Sequence, residues 1–136
     1  MLKKFETDLR DKGLQVTAQR LAVMEAVSIN PHSSSEQILQ TVNKQIGSIS
    51  KQAVYDALEA LSKNDLIRKI QPAGFPAIYE DRVGDNHHHA ICRKCGKTTD
   101  IDCAVGSAPC LEIPKSSGFQ ADEAEVVFWG HCKDCK

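Results

Sequence analysis

The sequence predicts an α+β protein in two parts, a helical first half that ends in a β-hairpin and a smaller second half of short strands. Apolar residues recur at helical spacing as far as Asn64, and strand-like segments follow them. All six cysteines lie after residue 91. The 136 residues, 41% hydrophobic and 26% charged, suit one compact unit or two small ones.

Four short helices are predicted in the first half, because each has a capping or stop signal. They are Lys3–Lys12 before Gly13, Ala18–Ile29 after the N-cap Thr17, a third helix between Ser34 or Ser35 and Gly47, and a fourth between Ser50 and Asn64. Leu66–Ile70 and Ala77–Glu80 then flank a loop rich in proline and glycine, which predicts a β-hairpin. Helices followed by a hairpin are typical of a winged helix-turn-helix.

The second half is predicted to form short strands at Ala90–Cys92, Thr98–Asp102 and Glu125–Trp129. Residues 126–129 are apolar on both faces, as expected for a strand covered by a helix and by a partner subunit. So small a half needs a metal, a partner or both to be stable. The polar segment 81–86 predicts a hinge between a first domain, residues 1–80, and a second domain, residues 87–136.

Charge is divided unevenly along the chain, whose net charge is −1. Residues 1–79 hold ten Lys or Arg against eight Asp or Glu, and residues 80–136 hold seven against ten. This balance argues against nonspecific binding of polyanions but allows the first half to contact DNA. No apolar run is long enough to cross a membrane and the first residues lack a signal peptide, so a cytoplasmic location is expected.

The cysteines include two closely spaced pairs, Cys92-x-x-Cys95 and Cys132-x-x-Cys135. In a reducing compartment such pairs favour metal ligands over disulfides. Two pairs complete a tetrahedral Zn²⁺ site, which is closed and therefore structural. The competing interpretation is a redox pair or four independent thiols. Cys103 and Cys110 lie outside the pairs, and they could form a disulfide, bind metal or remain buried thiols.

Three consecutive histidines precede the first cysteine pair. Alternate residues of a strand face the same way, so His87 and His89 can bind one ion while His88 points away. The carboxylates that could join them are Glu80, Asp81, Asp85, Asp100 and Asp102. Such a site suits Fe²⁺, Mn²⁺ or Zn²⁺, whereas the other interpretation is an exposed polar turn.

The fourth helix presents Lys51, Gln52 and Tyr55 in its exposed N-terminal turns. A recognition helix directs this end at base edges, where Gln can read adenine and Lys a guanine or phosphate. Asp56 and Glu59 repel phosphate, which instead favours a solvated helix face.

Together these pieces resemble the ferric uptake regulator family over nearly the whole chain. The motifs that carry the resemblance are Val16-Thr17-Ala18-Gln19-Arg20, Ser50-x-x-x-Val54-Tyr55, Gly84-Asp85-Asn86-His87-His88-His89, Cys92-x-x-Cys95-Gly96 and Trp129-Gly130-His131-Cys132-x-x-Cys135. The third of these motifs and the stretch 102–110 resemble the branch that represses catalase-peroxidase genes.

The resemblance implies a homodimer with an N-terminal winged helix-turn-helix and a small C-terminal α/β dimerisation domain, which represses transcription on double-stranded operator DNA. It implies structural Zn²⁺ on Cys92, Cys95, Cys132 and Cys135. It also implies a regulatory Fe²⁺ or Mn²⁺ site on His32, Glu80, His87, His89 and Asp100, although Asp81 beside Glu80 could equally supply the ligand. Arg20, from the first of these motifs, joins Lys51, Gln52 and Tyr55 of the fourth helix as an expected DNA-binding residue. The chain is then not an enzyme.

Asp100 is the informative position, because members that sense peroxide resemble this chain in carrying Asp there, where many iron sensors carry Glu. The resemblance therefore implies that bound Fe²⁺ reacts with peroxide and that a ligand histidine, His32 or His87, is oxidised. Two positions depart from the family pattern. Asp56 stands where many members have Arg or Asn, and near Ala124 a second sensory site would find only Glu123 and Glu125, with His88 as its remaining member.

Two rival functions remain open. One is an iron-responsive repressor of the same fold, and the other is a zinc-thiol redox switch or enzyme that uses Cys103 and Cys110. The first half contains no nucleophile–base arrangement, which counts against an enzyme.

Overall fold

The structure is a computed structural model that describes residues 2–81, 83, 87–102, 113–121 and 124–136. The chain divides into two compact units, Met1–Val83 and Gly84–Lys136. This division falls within the segment 81–86 that the sequence predicts as a hinge. Residues 82 and 84–86 lie outside the described residues, so the hinge stays a prediction. Among the described residues, every helix is too short or too polar to cross a membrane.

The first unit contains four helices, α1 (Leu2–Asp11), α2 (Ala18–Ile29), α3 (Ser35–Ile46) and α4 (Lys51–Lys63). Each of the last three begins where a side-chain oxygen accepts a hydrogen bond from a free backbone N–H group of its first turn. Thr17 and Ser50 serve α2 and α4, and Ser34 forms a reciprocal capping box with Gln37 at α3. The predicted starts of α2 and α4 are therefore confirmed, and Ser34 is the cap of α3.

The core of the first unit lies between these helices. Leu9, Val23, Val27, Val42 and Leu61 are completely buried, and they come from all four helices. Within each helix the buried residues recur at helical spacing, as in Phe5 and Leu9, Val23 and Val27, Ile38 and Val42, and Leu58 and Leu61, so one face of each helix packs inward. The opposite face of α4 is left exposed.

A three-stranded antiparallel sheet completes the first unit, in the order β1 (Ser33–Ser34), β3 (Ile78–Glu80), β2 (Arg68–Ile70). The predicted hairpin is β2 and β3, and both strands are shorter than predicted. The sequence analysis missed β1, which has only two residues. Its pairing of Ser33 with Tyr79 holds the segment after His32 against β3.

The second unit is built on β4 (His87–Cys92), which lies between β5 (Thr98–Asp102) and β6 (Val127–Gly130). β4 pairs antiparallel with β5 and parallel with β6. β5 has its predicted limits, whereas β4 begins three residues earlier than predicted, at the first histidine. The helix expected to cover this sheet is not found among the described residues of the unit, where the one helical turn is a 3₁₀ turn at Lys115–Ser117, and residues 103–112 lie outside them. The four helices and two sheets confirm the predicted α+β class.

Replacement of Leu61 by alanine tests the core of the first unit. Leu61 is completely buried, so Leu61→Ala leaves a cavity and is expected to lower the free energy of unfolding by about 2–5 kcal/mol. Ile46→Ala is the matched control, because Ile46 is 41% exposed and should cost well under 1 kcal/mol, as is usual for surface changes. The measurement is thermal unfolding followed by circular dichroism. Equal losses in both variants would contradict this core assignment.

Candidate metal centres and nucleic-acid interface

The two cysteine pairs come together in the second unit. The Sγ atoms of four cysteines all lie within 4.8 Å of one another; these residues are Cys92, Cys95, Cys132 and Cys135. The Sγ atoms of Cys95 and Cys132 are 3.7 Å apart. Four sulfurs bonded to Zn²⁺ at about 2.3 Å lie about 3.8 Å from one another. The cluster therefore has the dimensions of a tetrahedral zinc site.

Backbone turns fix each cysteine pair. The N–H of Gly96 donates to the carbonyl of Cys92, and the N–H of Cys135 donates to that of Cys132. Gly96 has a φ of +78°, which a residue with a side chain rarely adopts, so glycine is needed after the first pair. Arg93 N–H donates to the carbonyl of Gly130, which joins the two pairs through the ends of β4 and β6.

Two of the four thiols have pKa values shifted in opposite directions. Backbone hydrogen bonds from Cys132 and Cys95 lower the pKa of Cys92 to about 5. Hydrogen bonding to Cys132, together with burial, raises the pKa of Cys135 to about 12. The protein's own groups thus favour a thiolate at Cys92 and a retained proton at Cys135. Four thiolates at once require the charge of a divalent cation, as in a zinc site.

A histidine–carboxylate pair lies in the first unit. His32 Nε2 is 3.1 Å from Glu80 Oε2, and the Glu80 side chain is almost completely buried. His32 has a φ of +68°, a conformation that few residues other than glycine adopt, and its N–H donates to the carbonyl of Tyr79. Asp81, the other candidate ligand, is exposed, so Glu80 is the carboxylate that the fold places beside His32.

A second group of donors lies in the second unit, where one oxygen of Asp100 faces two histidines. Asp100 Oδ1 is 3.4 Å from His89 Nε2 and 3.7 Å from His87 Nε2. Both histidines lie on β4 and have completely buried side chains, whereas that of Asp100 is 24% exposed. His88, between them, instead accepts a hydrogen bond through Nδ1 from the N–H of Val126. The alternation predicted for a strand is therefore observed.

These spacings fit metal ligation. Two donor atoms bonded to one ion at about 2.1 Å lie roughly 3.0–3.4 Å apart at octahedral or tetrahedral angles. The separations of 3.1, 3.4 and 3.7 Å within the two groups are close to that range. Imidazole with carboxylate is a donor set suited to Fe²⁺, Mn²⁺ or Zn²⁺.

Several predicted features fall outside the described residues. Cys103 and Cys110 are among them, so the structure says nothing of a disulfide or of any other role for these thiols. Glu123 also lies outside, which leaves the second sensory site untested. Glu125 and His131 are described and exposed.

The candidate nucleic-acid interface is the exposed face of α4. Lys51, Gln52 and Tyr55 all lie in its first two turns and reach solvent. The ammonium group of Lys51 is 5.9 Å from the centre of the Tyr55 ring, and the hydroxyl of Ser35 donates to the Tyr55 hydroxyl at 3.0 Å. Tyr55 is thus held against the start of α3, with its ring exposed for contact.

Arg20 lies on a different helix from these residues, in the first turn of α2. Its Nη1 donates to the carbonyl of Gln15 at 2.7 Å, and the side chain is half-buried. That bond uses one of the five N–H donors of the guanidinium group, so others remain for a phosphate.

Sequence reasoning missed two contacts around this interface. Asn43 Oδ1 accepts from the N–H of Ile49 and closes the turn between α3 and α4. Gln52 Nε2 donates to Asp56 Oδ1 at 2.9 Å on the exposed face of α4. The second contact has a sequence signal, since residues four apart are neighbours on a helix.

A winged helix joined to a unit with a four-thiol cluster and histidine–carboxylate donors defines a metal-binding, DNA-binding regulator. The comparisons agree, because residues 11–129 match the ferric uptake regulator family. The chain belongs to that family. It is a metal-responsive transcriptional regulator, and the prediction that it is not an enzyme is confirmed by its relatives.

The chain is 53% identical over 131 residues to a protein of Mycobacterium tuberculosis named transcriptional regulator FurA, covering 96% of this chain and 89% of the relative. The structure of the Helicobacter pylori ferric uptake regulator, described as having three functional metal-binding sites, has a TM-score of 0.79 at 23% identity, over 98% of this chain and 90% of that one. The Campylobacter jejuni peroxide stress regulator has a TM-score of 0.70 at 26% identity, over 99% and 96%. The predicted cofactors, zinc with iron or manganese, are those of the family.

Replacement of one thiol tests the four-cysteine centre. Cys95→Ser should lose the bound zinc, because three thiolates and a hydroxyl do not complete the site. The fold of the second unit should weaken with it, since zinc binding and folding are coupled. Zinc is measured by mass spectrometry of the native protein and by release to a chromogenic chelator. His131→Ala, an exposed neighbour of Cys132, is the control and should retain zinc. One equivalent of zinc in Cys95→Ser would contradict the ligand assignment.

Proposed function

We propose that this chain is a homodimeric repressor that binds operator DNA when a regulatory Fe²⁺ or Mn²⁺ site is filled, and that it is released when peroxide oxidises a ligand histidine. The observation that carries the proposal is the pair of histidine–carboxylate donor groups, one in each unit. Structural zinc on the four cysteines would stabilise the second unit whether or not the regulatory site is filled. The four thiols stay reduced, and so able to bind zinc, in a reducing compartment, which supports a location in the cytoplasm.

The proposed regulatory site joins the two donor groups on one ion. His32 and Glu80 would contribute from the first unit, and His87, His89 and Asp100 from the second. Neither group alone supplies the four to six ligands that Fe²⁺ or Mn²⁺ prefers. An ion bonded to both units would favour the one arrangement of the dimer in which these ligands meet, and it would stabilise that arrangement by its differential affinity.

Peroxide sensing is supported by the chemistry of the proposed ligands. All five donors are nitrogen or oxygen atoms, which suits Fe²⁺. The carboxylate of Asp100 is partly exposed while the rings of His87 and His89 are buried, so a small solute would reach the site from its carboxylate side. His32, Glu80, His87, His89 and Asp100 would hold Fe²⁺, and the ion would supply the redox chemistry by which an imidazole carbon of His32 or His87 gains one peroxide oxygen while the other leaves as water. The resemblance of the sequence to the catalase-peroxidase branch supports the same function.

An iron-responsive repressor is the second candidate. It would use the same donors and release DNA on loss of Fe²⁺, without any covalent change. The likeness to proteins named ferric uptake regulators favours it. The two candidates therefore differ in the fate of the histidines, which peptide mass spectrometry can measure.

DNA binding would use the exposed turns of α4. Lys51, Gln52 and Tyr55 would contact bases and phosphates in the major groove, and Arg20 would contact the backbone. A dimer would place two copies of α4 on two half-sites of operator DNA.

Dimerisation would cover apolar side chains that the single chain exposes. Phe128, on the edge strand β6, is 53% exposed, and Ile101, on the opposite edge strand β5, is 37% exposed. Edge strands with apolar side chains are unfavourable in contact with water. The expectation from the sequence that residues 126–129 are covered by a partner subunit is therefore part of this proposal.

Removal of one buried imidazole tests the regulatory site. His89→Ala should abolish Mn²⁺-dependent binding to operator DNA, because the ion loses a ligand from the second unit, while the zinc content stays at one equivalent. DNA affinity is measured by fluorescence anisotropy against Mn²⁺ concentration. His131→Ala is again the control and should bind as the unchanged protein does. Mn²⁺-dependent binding that survives in His89→Ala would exclude this role.

Peptide mass spectrometry after Fe²⁺ loading and exposure to dilute peroxide tests the signal. One added oxygen on His32 or His87, blocked when Mn²⁺ replaces Fe²⁺, is expected. His88 lies on the same strand, and its ring accepts a hydrogen bond from the backbone N–H of Val126. It therefore serves as an internal control and should stay unmodified. Unmodified histidines with reversible loss of DNA binding on iron removal would instead support the iron sensor. A Cys103–Cys110 disulfide in their place would support a thiol switch.

A further inference from the structure

The exposed face of α4 contains a contact that the proposed DNA-binding role does not use. Gln52 Nε2 lies 2.9 Å from Asp56 Oδ1, one helical turn away. A carboxylate only accepts hydrogen bonds, so the amide nitrogen of Gln52, and not its oxygen, must face Asp56. The orientation of the amide is thereby fixed by chemistry.

We infer that Asp56 is a positioning residue that makes Gln52 selective for adenine over guanine. A glutamine side chain has two N–H donors and one carbonyl acceptor. The major-groove edge of adenine offers one acceptor and one donor, N7 and the N6 amino group, whereas guanine offers two acceptors, N7 and O6. A Gln52 amide that can rotate could satisfy guanine with both N–H groups and adenine with one N–H group and the carbonyl.

The contact with Asp56 removes that ambiguity. It occupies one N–H of Gln52, so one donor and one acceptor remain for the base. This pair complements adenine, whereas on guanine the carbonyl of Gln52 would face O6, and two acceptors repel each other. Asp56 would also repel a phosphate brought close to it, which keeps this part of the helix over base edges. The inference rests on the proposed binding of α4 in the major groove.

The experiment uses the full chain, loaded with zinc and Mn²⁺, and a library of randomised duplex DNA from which bound sequences are selected and counted. Four variants are compared with the unchanged protein: Asp56→Ala, Gln52→Ala, the double variant, and Glu59→Gln. Glu59 is exposed on the same helix, seven residues from Gln52 and so about 10 Å along the axis. Its substitution removes one negative charge and leaves Gln52 and Asp56 unchanged.

The unchanged protein should show one base pair in each half-site at which Gln52→Ala abolishes a preference for adenine. At that same pair, Asp56→Ala should lower the ratio of adenine to guanine by about tenfold, mainly through gain of guanine. The double variant should match Gln52→Ala there, because Asp56 acts through Gln52. Glu59→Gln should keep the adenine preference.

Other outcomes would overturn the inference. If Asp56→Ala and Glu59→Gln strengthen binding to all sequences alike, Asp56 acts only through its charge. If Asp56→Ala changes the preference at a different base pair, and the double variant shows the same change, Asp56 reads that base itself. If Gln52→Ala alters no preference, Gln52 does not read a base. Failure of the proposed function is distinct, since the unchanged protein would then enrich no sequence in the presence of Mn²⁺.

Discussion

The alternation of side chains along β4 is the constraint on which the second unit depends. Six consecutive residues, His87–Cys92, form the middle strand of a three-stranded sheet. Because successive side chains point to opposite faces, His87 and His89 reach Asp100 while His88 bonds to Val126. The same strand ends at Cys92, whose thiol has a pKa lowered to about 5. A shift of one residue in register would therefore disturb both sets of donors at once.

This arrangement would give the two proposed metal centres different tasks. The four cysteines lie at the ends of β4 and β6, which are parallel neighbours, so an ion there ties the end of the sheet and leaves no open position. The histidine–carboxylate groups have fewer donors in each unit and are built from oxygen and nitrogen. A closed thiolate site would hold its ion firmly, whereas the proposed regulatory site, with nitrogen and oxygen ligands, could gain or lose its ion as conditions change.

Much of this could be predicted because the signals are local. Caps at Thr17 and Ser50 and the apolar spacing of α2 and α4 depend on residues within a few positions, and the structure confirms them. The four cysteines come together as their spacing predicts. The sequence analysis missed β1, because a two-residue strand has no pattern of its own and exists through its pairing with β3. It also left Glu80 and Asp81 open, since only tertiary structure buries one and exposes the other.

The short strand β1 has a consequence for how the first unit could respond to metal. His32 precedes it and Ser35 follows it, so only the two residues of β1 separate a proposed ligand from the residue whose hydroxyl bonds to Tyr55 of α4. The segment has little freedom, because the backbone N–H of His32 donates to the carbonyl of Tyr79 and Ser33 pairs with Tyr79 in the sheet. A shift of the His32 backbone on binding an ion would be absorbed at His32 itself, whose φ is +68°, or passed along β1 to Ser35. Since packed segments move between discrete arrangements more readily than they deform, the second course would connect the proposed metal site to the helix that is proposed to read DNA, within one unit.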